Sequence, residues 1–297
     1  MQIIKAERKQ SKIKLAISGA SGSGKTYSAL QLAYGLCGSW EKVCLIDSEN
    51  FSASLYSNLG SFNIINLEFP FSPERYIQAI KLAEDGGMEV IIIDSITQEW
   101  TGKGGCLEQH EKETSRMKIP NSFSAWASIT PRHQAFIDSI IYCPCYIIAT
   151  IRSKVEYAMI ERNGKAFPQK VGLAPVTREN FEYDVSVHFE LDQEHRAFCS
   201  KDRTFLFANQ DPFIISSDTG KLLLKWCESG SPVNVDDVSV RIGDCNSIKE
   251  LLDLYQRHPE FKEVLKPEFE QRKRSILINR EVITTLTNQK IIQNGTD

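Results

Sequence analysis

The stretch Lys12-Ile13-Lys14-Leu15-Ala16-Ile17-Ser18 runs directly into Gly19-Ala20-Ser21-Gly22-Ser23-Gly24-Lys25-Thr26, and this join decides the fold class. Its first half is a short apolar strand. Its second half fits G-x-x-x-x-G-K-[ST], whose glycines let successive backbone N–H groups point into one concavity that suits phosphate oxygens. A helix is expected from about Lys25 to Leu36, because Ala29, Leu30, Leu32, Ala33 and Leu36 recur at helical spacing. Its positive N-terminal end adds to the same cradle. The strand before and the helix after supply the context this motif requires. The expected nucleotide contacts are Gly19, Ala20, Ser21, Gly22, Ser23, Gly24, Lys25, Thr26 and Tyr27. Lys25 should reach the β- and γ-phosphates, and Thr26 should ligate Mg²⁺.

Working outward, Lys42–Asp47 and Asn63–Leu67 read as further strands. Ser72-Pro73-Glu74 combines an N-cap, a proline at the first helical position and an acidic first turn, so a helix should run to about Glu84. Glu89–Asp94 and Cys145–Thr150 are continuous apolar runs, as expected for strands covered on both faces. Gly102–Pro120 reads as polar and irregular, Pro131–Tyr142 as a helix, and Arg152–Asn180 as a long mobile loop. Asp184–Leu191, Arg196–Ser200 and Thr204–Ala208 alternate, which predicts antiparallel strands closing the domain. Alternating strands and helices imply an α/β fold with a mostly parallel central sheet.

The α/β domain that carries the glycine-rich loop is expected to span 1–228. Ser, Gly, Pro, Val and Asp dominate the next stretch, so 229–244 reads as a linker. Residues 245–297 read as a small helical region: a capping box at Ser247–Glu250, helices to about Arg257 and around Glu260–Ile278, then a frayed tail at Asn288–Asp297. Its apolar positions are too few for a large independent core, so docking on the α/β domain or capture of a protein partner is expected.

The 297 residues are 41% hydrophobic and 25% charged, with net charge −3, which excludes a global basic field. No apolar run approaches the ~20 residues of a membrane span, and Met1–Lys12 lacks a secretory signal core. Eight cysteines contain no C-x-x-C pair; reduced thiols, a cytoplasmic location and no zinc site are expected.

Ile91-Ile92-Ile93-Asp94 offers the second metal anchor, an apolar strand ending in a carboxylate that the sheet would place beside the glycine-rich loop. Ser95, not a glutamate, follows it. Glu49, just past the second strand, is the better candidate to polarise the attacking water; Glu99 is the other, with a loop-stabilising role as its simpler reading.

With Asp47 and Glu49 after one strand and Asp94-Ser95 after another, residues 12–208 resemble the RecA-like ATPases, and most of all compact phage and prophage members linked to single-strand annealing and recombination. The resemblance implies ATP and Mg²⁺ as cofactors and Glu49 as catalytic base. It places Tyr56 on adenine and Thr150 as the γ-phosphate sensor, where RecA usually has glutamine. Tyr56 as a core aromatic and Thr150 as an ordinary strand-end threonine are the simpler alternatives. The resemblance also implies single-stranded DNA at Gly102–Ser124 and Arg152–Asn180. The second segment carries Arg152, Lys154, Arg162 and Lys165 with Tyr157 and Phe167 interleaved, a pattern that suits phosphates and unpaired bases. Self-association into a ring or filament follows, with Lys170 or Arg178 supplying a cation to a neighbour's site. The rival readings are a nucleotide-gated scaffold with a protein partner, and a P-loop kinase.

Overall fold

A computed structural model describes residues 5–162, 165–178, 181–232, 234–258 and 261–293; the side chains of 155–173, 253, 257 and 279–293 lie outside the description. It divides into two compact units, Ser11–Ser229, and Met1–Gln10 with Gly230–Asp297.

The larger unit holds one sheet. Its strands are β1 (Lys14–Gly19), β2 (Val43–Asp47), β3 (Asn63–Asn66), β4 (Val90–Asp94), β5 (Tyr146–Arg162), β6 (Lys165–Pro175), β7 (Val187–Leu191), β8 (Arg196–Asp202) and β9 (Phe213–Ile214). The order is β3-β2-β4-β5-β1-β7-β8-β9, with β6 paired to β5. From β3 to β7 every pairing along that path is parallel; β8, β9 and β6 join antiparallel. The continuous apolar strands follow from burial on both faces. Val90, Ile92, Tyr146 and Ile148 enter one core cluster, whereas Ile91, Ile93, Ile147 and Ala149 enter the other.

Helices α1 (Lys25–Cys37) and α7 (Ser217–Glu228) belong to the first cluster, and α2 (Pro73–Asp85) and α5 (Ser122–Ile141) to the second. α1 and α7 approach closely at Gly35, where a Cβ would meet the Ser217 carbonyl oxygen at 2.1 Å. Short helices α3 (Thr97–Thr101), α4 (Cys106–Arg116) and α6 (Phe181–Asp184) complete this unit.

Several expectations are corrected. The stretch read as irregular contains α4. Only Cys106 of that helix is buried, so no apolar stripe marks it; Lys112–Glu108 and Arg116–Glu113 pairs along its surface do. α5 starts at Ser122, not Pro131, because Asn121 caps it by accepting from Ser124 N at 3.1 Å. The stretch read as a mobile loop forms an antiparallel hairpin, β5 continuing past the parallel sheet to pair with β6. Thr204–Ala208 is a turn: the Asp202 carboxylate accepts from the backbone N–H of Thr204, Phe205 and Phe207.

The smaller unit contains α8 (Val235–Asp244), α9 (Ile248–Arg257) and α10 (Lys262–Gln293). The expected linker is thus largely α8, capped by Asn234 accepting from Asp237 N at 2.7 Å. Val238 and Ile242 of α8 join Leu251, Leu254, Leu265 and Phe269 in one small core. α8 is the third helix of a cluster that α9 and α10 complete. The expected frayed tail is helical to Gln293, and its last four residues lie outside the described ones. No described helix is long and apolar enough to cross a membrane. All eight cysteines are free thiols.

Candidate nucleotide-binding and hydrolysis site

The C-terminal ends of the parallel strands deliver the candidate groups to one edge of the sheet. Register sets Asp47 beside Asp94, Ile17 beside Thr150, and Gly19 beside Arg152. β5 lies between β1 and β4, so one strand separates Asp94 from the strand that leads into the glycine-rich loop. The hydroxyls close that gap. Thr26 Oγ1, in the first turn of α1, donates to Asp94 Oδ2 at 2.6 Å, and Thr150 Oγ1 donates to Oδ1 at 2.5 Å.

Gly22 and Gly24 take positive φ of 81° and 88°, which turns the loop into a nest and starts α1 from a left-handed residue. Ser21 is exposed, Ala20 and Gly19 line the loop's base, and Ser23 is fully buried with an Oγ that has no hydrogen-bond partner. The nest formed around Gly22 and Gly24 turns backbone N–H groups into one concavity, which fits a bound phosphate. Lys25 Nζ donates to the Ala20 carbonyl at 2.8 Å. Burial pushes its pKa below the ordinary lysine value; Asp94 opposes that and Arg152 adds to it. Burial raises the Asp94 carboxyl, while the Thr150 and Thr26 hydrogen bonds and Lys25 draw it back. A hydroxyl and a carboxylate 2.6 Å apart form a hard oxygen donor set, so Thr26 and Asp94 fit Mg²⁺.

Glu49 follows β2. Asp47 shapes its loop by accepting from Glu49 N at 2.7 Å and Ala53 N at 2.8 Å, so the first acid of the pair is a scaffold for the second. Ser48 bridges the strand ends: its Oγ donates to the Ser95 carbonyl at 3.0 Å and accepts from Ser95 N at 2.9 Å. Ser95 Oγ then donates to Glu49 Oε1 at 2.7 Å, and Arg152 forms an ion pair with Glu49 Oε2. Arg152, expected among the DNA contacts, is therefore committed to the candidate base.

Glu99, the alternative base, is fully buried and accepts from Cys106 Sγ at 3.0 Å and from His133 Nδ1 at 3.0 and 3.1 Å. These three donor atoms lie close enough for a metal ion. Each, however, is already paired, and no fourth ligand completes a tetrahedron among the described residues. The triad ties α3, α4 and α5 together, which is the loop-stabilising role.

Tyr56 is half-buried and packs against the core cluster that contains α1, as a core aromatic does. Thr150 is fully buried, and its hydroxyl holds the Asp94 carboxylate. Tyr27 is exposed at the start of α1. Lys154 is exposed near the root of the hairpin; the side chains of Arg162, Lys165 and Lys170, with Tyr157 and Phe167, lie outside the described residues. Arg178 sits 6.0 Å from the Trp126 ring, which stacks on Trp100 and His110. Sequence reasoning missed Ser48, Ser95 and the Glu49 contact of Arg152. It also missed His195, whose ring would lie 3.1 Å from a Cβ at Gly24. Only Ser95 carried a signal, as the residue after Asp94.

A parallel sheet that brings a phosphate loop, a hydroxyl-bound aspartate and a glutamate from the next strand to one edge is the framework of RecA-like P-loop nucleoside triphosphatases. The fold and site assign the chain to that class. A family model described as an AAA domain (AAA_24) matches residues 11–215, and the chain belongs to that family. No curated protein matches the chain. Among solved structures, it is similar to a KaiC-like protein from the hyperthermophilic archaeon Pyrococcus horikoshii OT3. The identity is 14% over 70% of this chain and 88% of that one, with TM-score 0.39, a likeness too slight to carry any argument about function.

Proposed function

We propose that the protein is a Mg²⁺-dependent ATPase that binds single-stranded DNA and supports recombination or annealing. The observation that carries the hydrolytic part is the Thr26–Asp94–Thr150 cluster beside Lys25, with Glu49 held one strand away. The nest and Lys25 bind the phosphates. Thr26 and Asp94 would hold Mg²⁺, which supplies charge neutralisation at the phosphate oxygens. Glu49 orients water for in-line attack, and Lys25 stabilises the charge that develops on the terminal phosphoryl group. Glu49→Gln should retain ATP binding and lower turnover by about 10²-fold or more. Undiminished hydrolysis in that variant would remove Glu49 from the role.

The DNA part is supported by the hairpin rooted at the same sheet edge, with exposed Lys154 and the cationic sequence around it. Hydrolysis rates with and without single-stranded DNA, read beside particle size, test it together with ring or filament assembly. Lys154→Ala with Lys165→Ala should weaken DNA binding and flatten its salt dependence by up to about two phosphate contacts. An unchanged slope would favour the second reading, a nucleotide-gated scaffold with a protein partner. That reading draws on Arg152 and Arg178 both being engaged within the chain.

A further inference from the structure

Arg152 stands where three parts of the site meet. Its Cα is in register with Gly19, the first residue of the phosphate loop. Its guanidinium pairs with Glu49, and its charge is felt at Lys25. Its backbone is fixed on both sides, the N–H donating to Thr97 Oγ1 at 2.9 Å and the carbonyl accepting from Val176 N at 2.7 Å. The side chain is free in a way the backbone is not: it is 49% accessible, against 15% for Glu49.

Lys25 and Arg152 face Asp94 and Glu49, and Asp47 stands beside Asp94, so two cations meet three carboxylates. Both Glu49 oxygens are engaged, Oε1 by Ser95 and Oε2 by Arg152. A terminal phosphate beside Lys25 adds an anion of higher charge, whose oxygens match the guanidinium fork as well as a carboxylate does. We propose that Arg152 reads the terminal phosphate: without nucleotide it holds Glu49, and a bound γ-phosphate takes the guanidinium in exchange and releases Glu49 Oε2 for the attacking water. This rests on the hydrolytic reading above.

In the step so enabled, the water oxygen bonds to the γ-phosphorus and its proton passes to Glu49. The bond from the γ-phosphorus to the bridging oxygen breaks, its electron pair staying on ADP. A diphosphate has no γ-group to offer, so Arg152 stays on Glu49. The exchange thus reports whether the nucleotide is a triphosphate, and it does so at the residue where β5 leaves the parallel sheet for the hairpin.

The test is calorimetric titration of the full chain with Mg²⁺ and either ADP or a non-hydrolysable imido analogue of ATP. Arg152→Gln should lose about tenfold or more in affinity for the analogue while ADP binding stays within about twofold, and Arg152→Lys should recover part of the loss. Glu49→Gln removes the competitor for the guanidinium, so it should tighten the analogue severalfold relative to ADP. That gain should vanish in the Glu49→Gln, Arg152→Gln double variant. Turnover should fall in Arg152→Gln. An unchanged analogue-to-ADP ratio in both single variants overturns the proposal, as does faster turnover in Arg152→Gln, which would make Arg152 only a brake. If wild type binds and hydrolyses ATP, those results sink this proposal alone; if wild type does neither, the hydrolytic reading falls first and takes this one with it.

Discussion

The phosphate side and the water side of the site are built in opposite ways. Gly19–Thr26 is one continuous segment whose shape comes from its own backbone, through positive φ at Gly22 and Gly24 and the start of α1. The water side is assembled from three strand ends: Glu49 after β2, Ser95 after β4 and Arg152 on β5. The first is local and survives any arrangement that keeps a strand before it and a helix after it. The second exists only when β2, β4 and β5 lie in the observed order. Binding can therefore be robust while turnover depends on long-range register.

The largest effect should come from the local side. Lys25→Ala removes the cation that the proposed mechanism sets on the β- and γ-phosphates, and turnover should drop by about 10³-fold with a large loss of triphosphate affinity. If affinity were kept, the phosphate side would not be self-sufficient and the contrast would break. Ser95→Ala probes the assembled side alone. It leaves Asp94 and the loop intact but frees Glu49 Oε1, so kcat should fall about tenfold while nucleotide Kd stays unchanged. A matching rise in Kd would show the two sides to be one mechanical unit.

The smallest effect lies away from both. Arg132, on α5, donates through Nε and NH2 to the two oxygens of Glu74 on α2, at 2.6 and 2.8 Å. This pairing holds the Glu74 carboxyl down at about 2, against 4.5 when unpaired. A depressed carboxylate contributes stability above about 4.5, and that contribution fades as pH falls towards about 2. Both side chains are more than a third exposed, so the contribution should stay below about 1 kcal/mol. Glu74→Gln should accordingly narrow the loss of thermal stability on acidification without altering kcat. A change in kcat would mean that α2 transmits to the site.

Legibility followed the same division. The strands β1, β2, β4 and the start of β5 were readable because burial on both faces leaves unbroken apolar runs. α4 was not, since a helix with one buried residue carries no stripe. Thr204–Ala208 alternated like a strand, yet one carboxylate, Asp202, bent it into a turn. α8 looked like a linker because its apolar residues gain meaning only against α9 and α10.

By itself the sequence determined that Gly19–Thr26 forms a glycine-rich loop between a strand and a helix and that Asp94 ends a buried strand, since both depend on neighbours in the chain. Only the tertiary structure decided what surrounds Glu49. Ser95 lies 46 residues from it in sequence. Together with Arg152, still further along, it reaches Glu49 through strand order, and a contact of that range leaves no trace in local spacing. The same tertiary structure turned Glu99 inward, onto Cys106 and His133, where its burial removes it from the water that a base must meet.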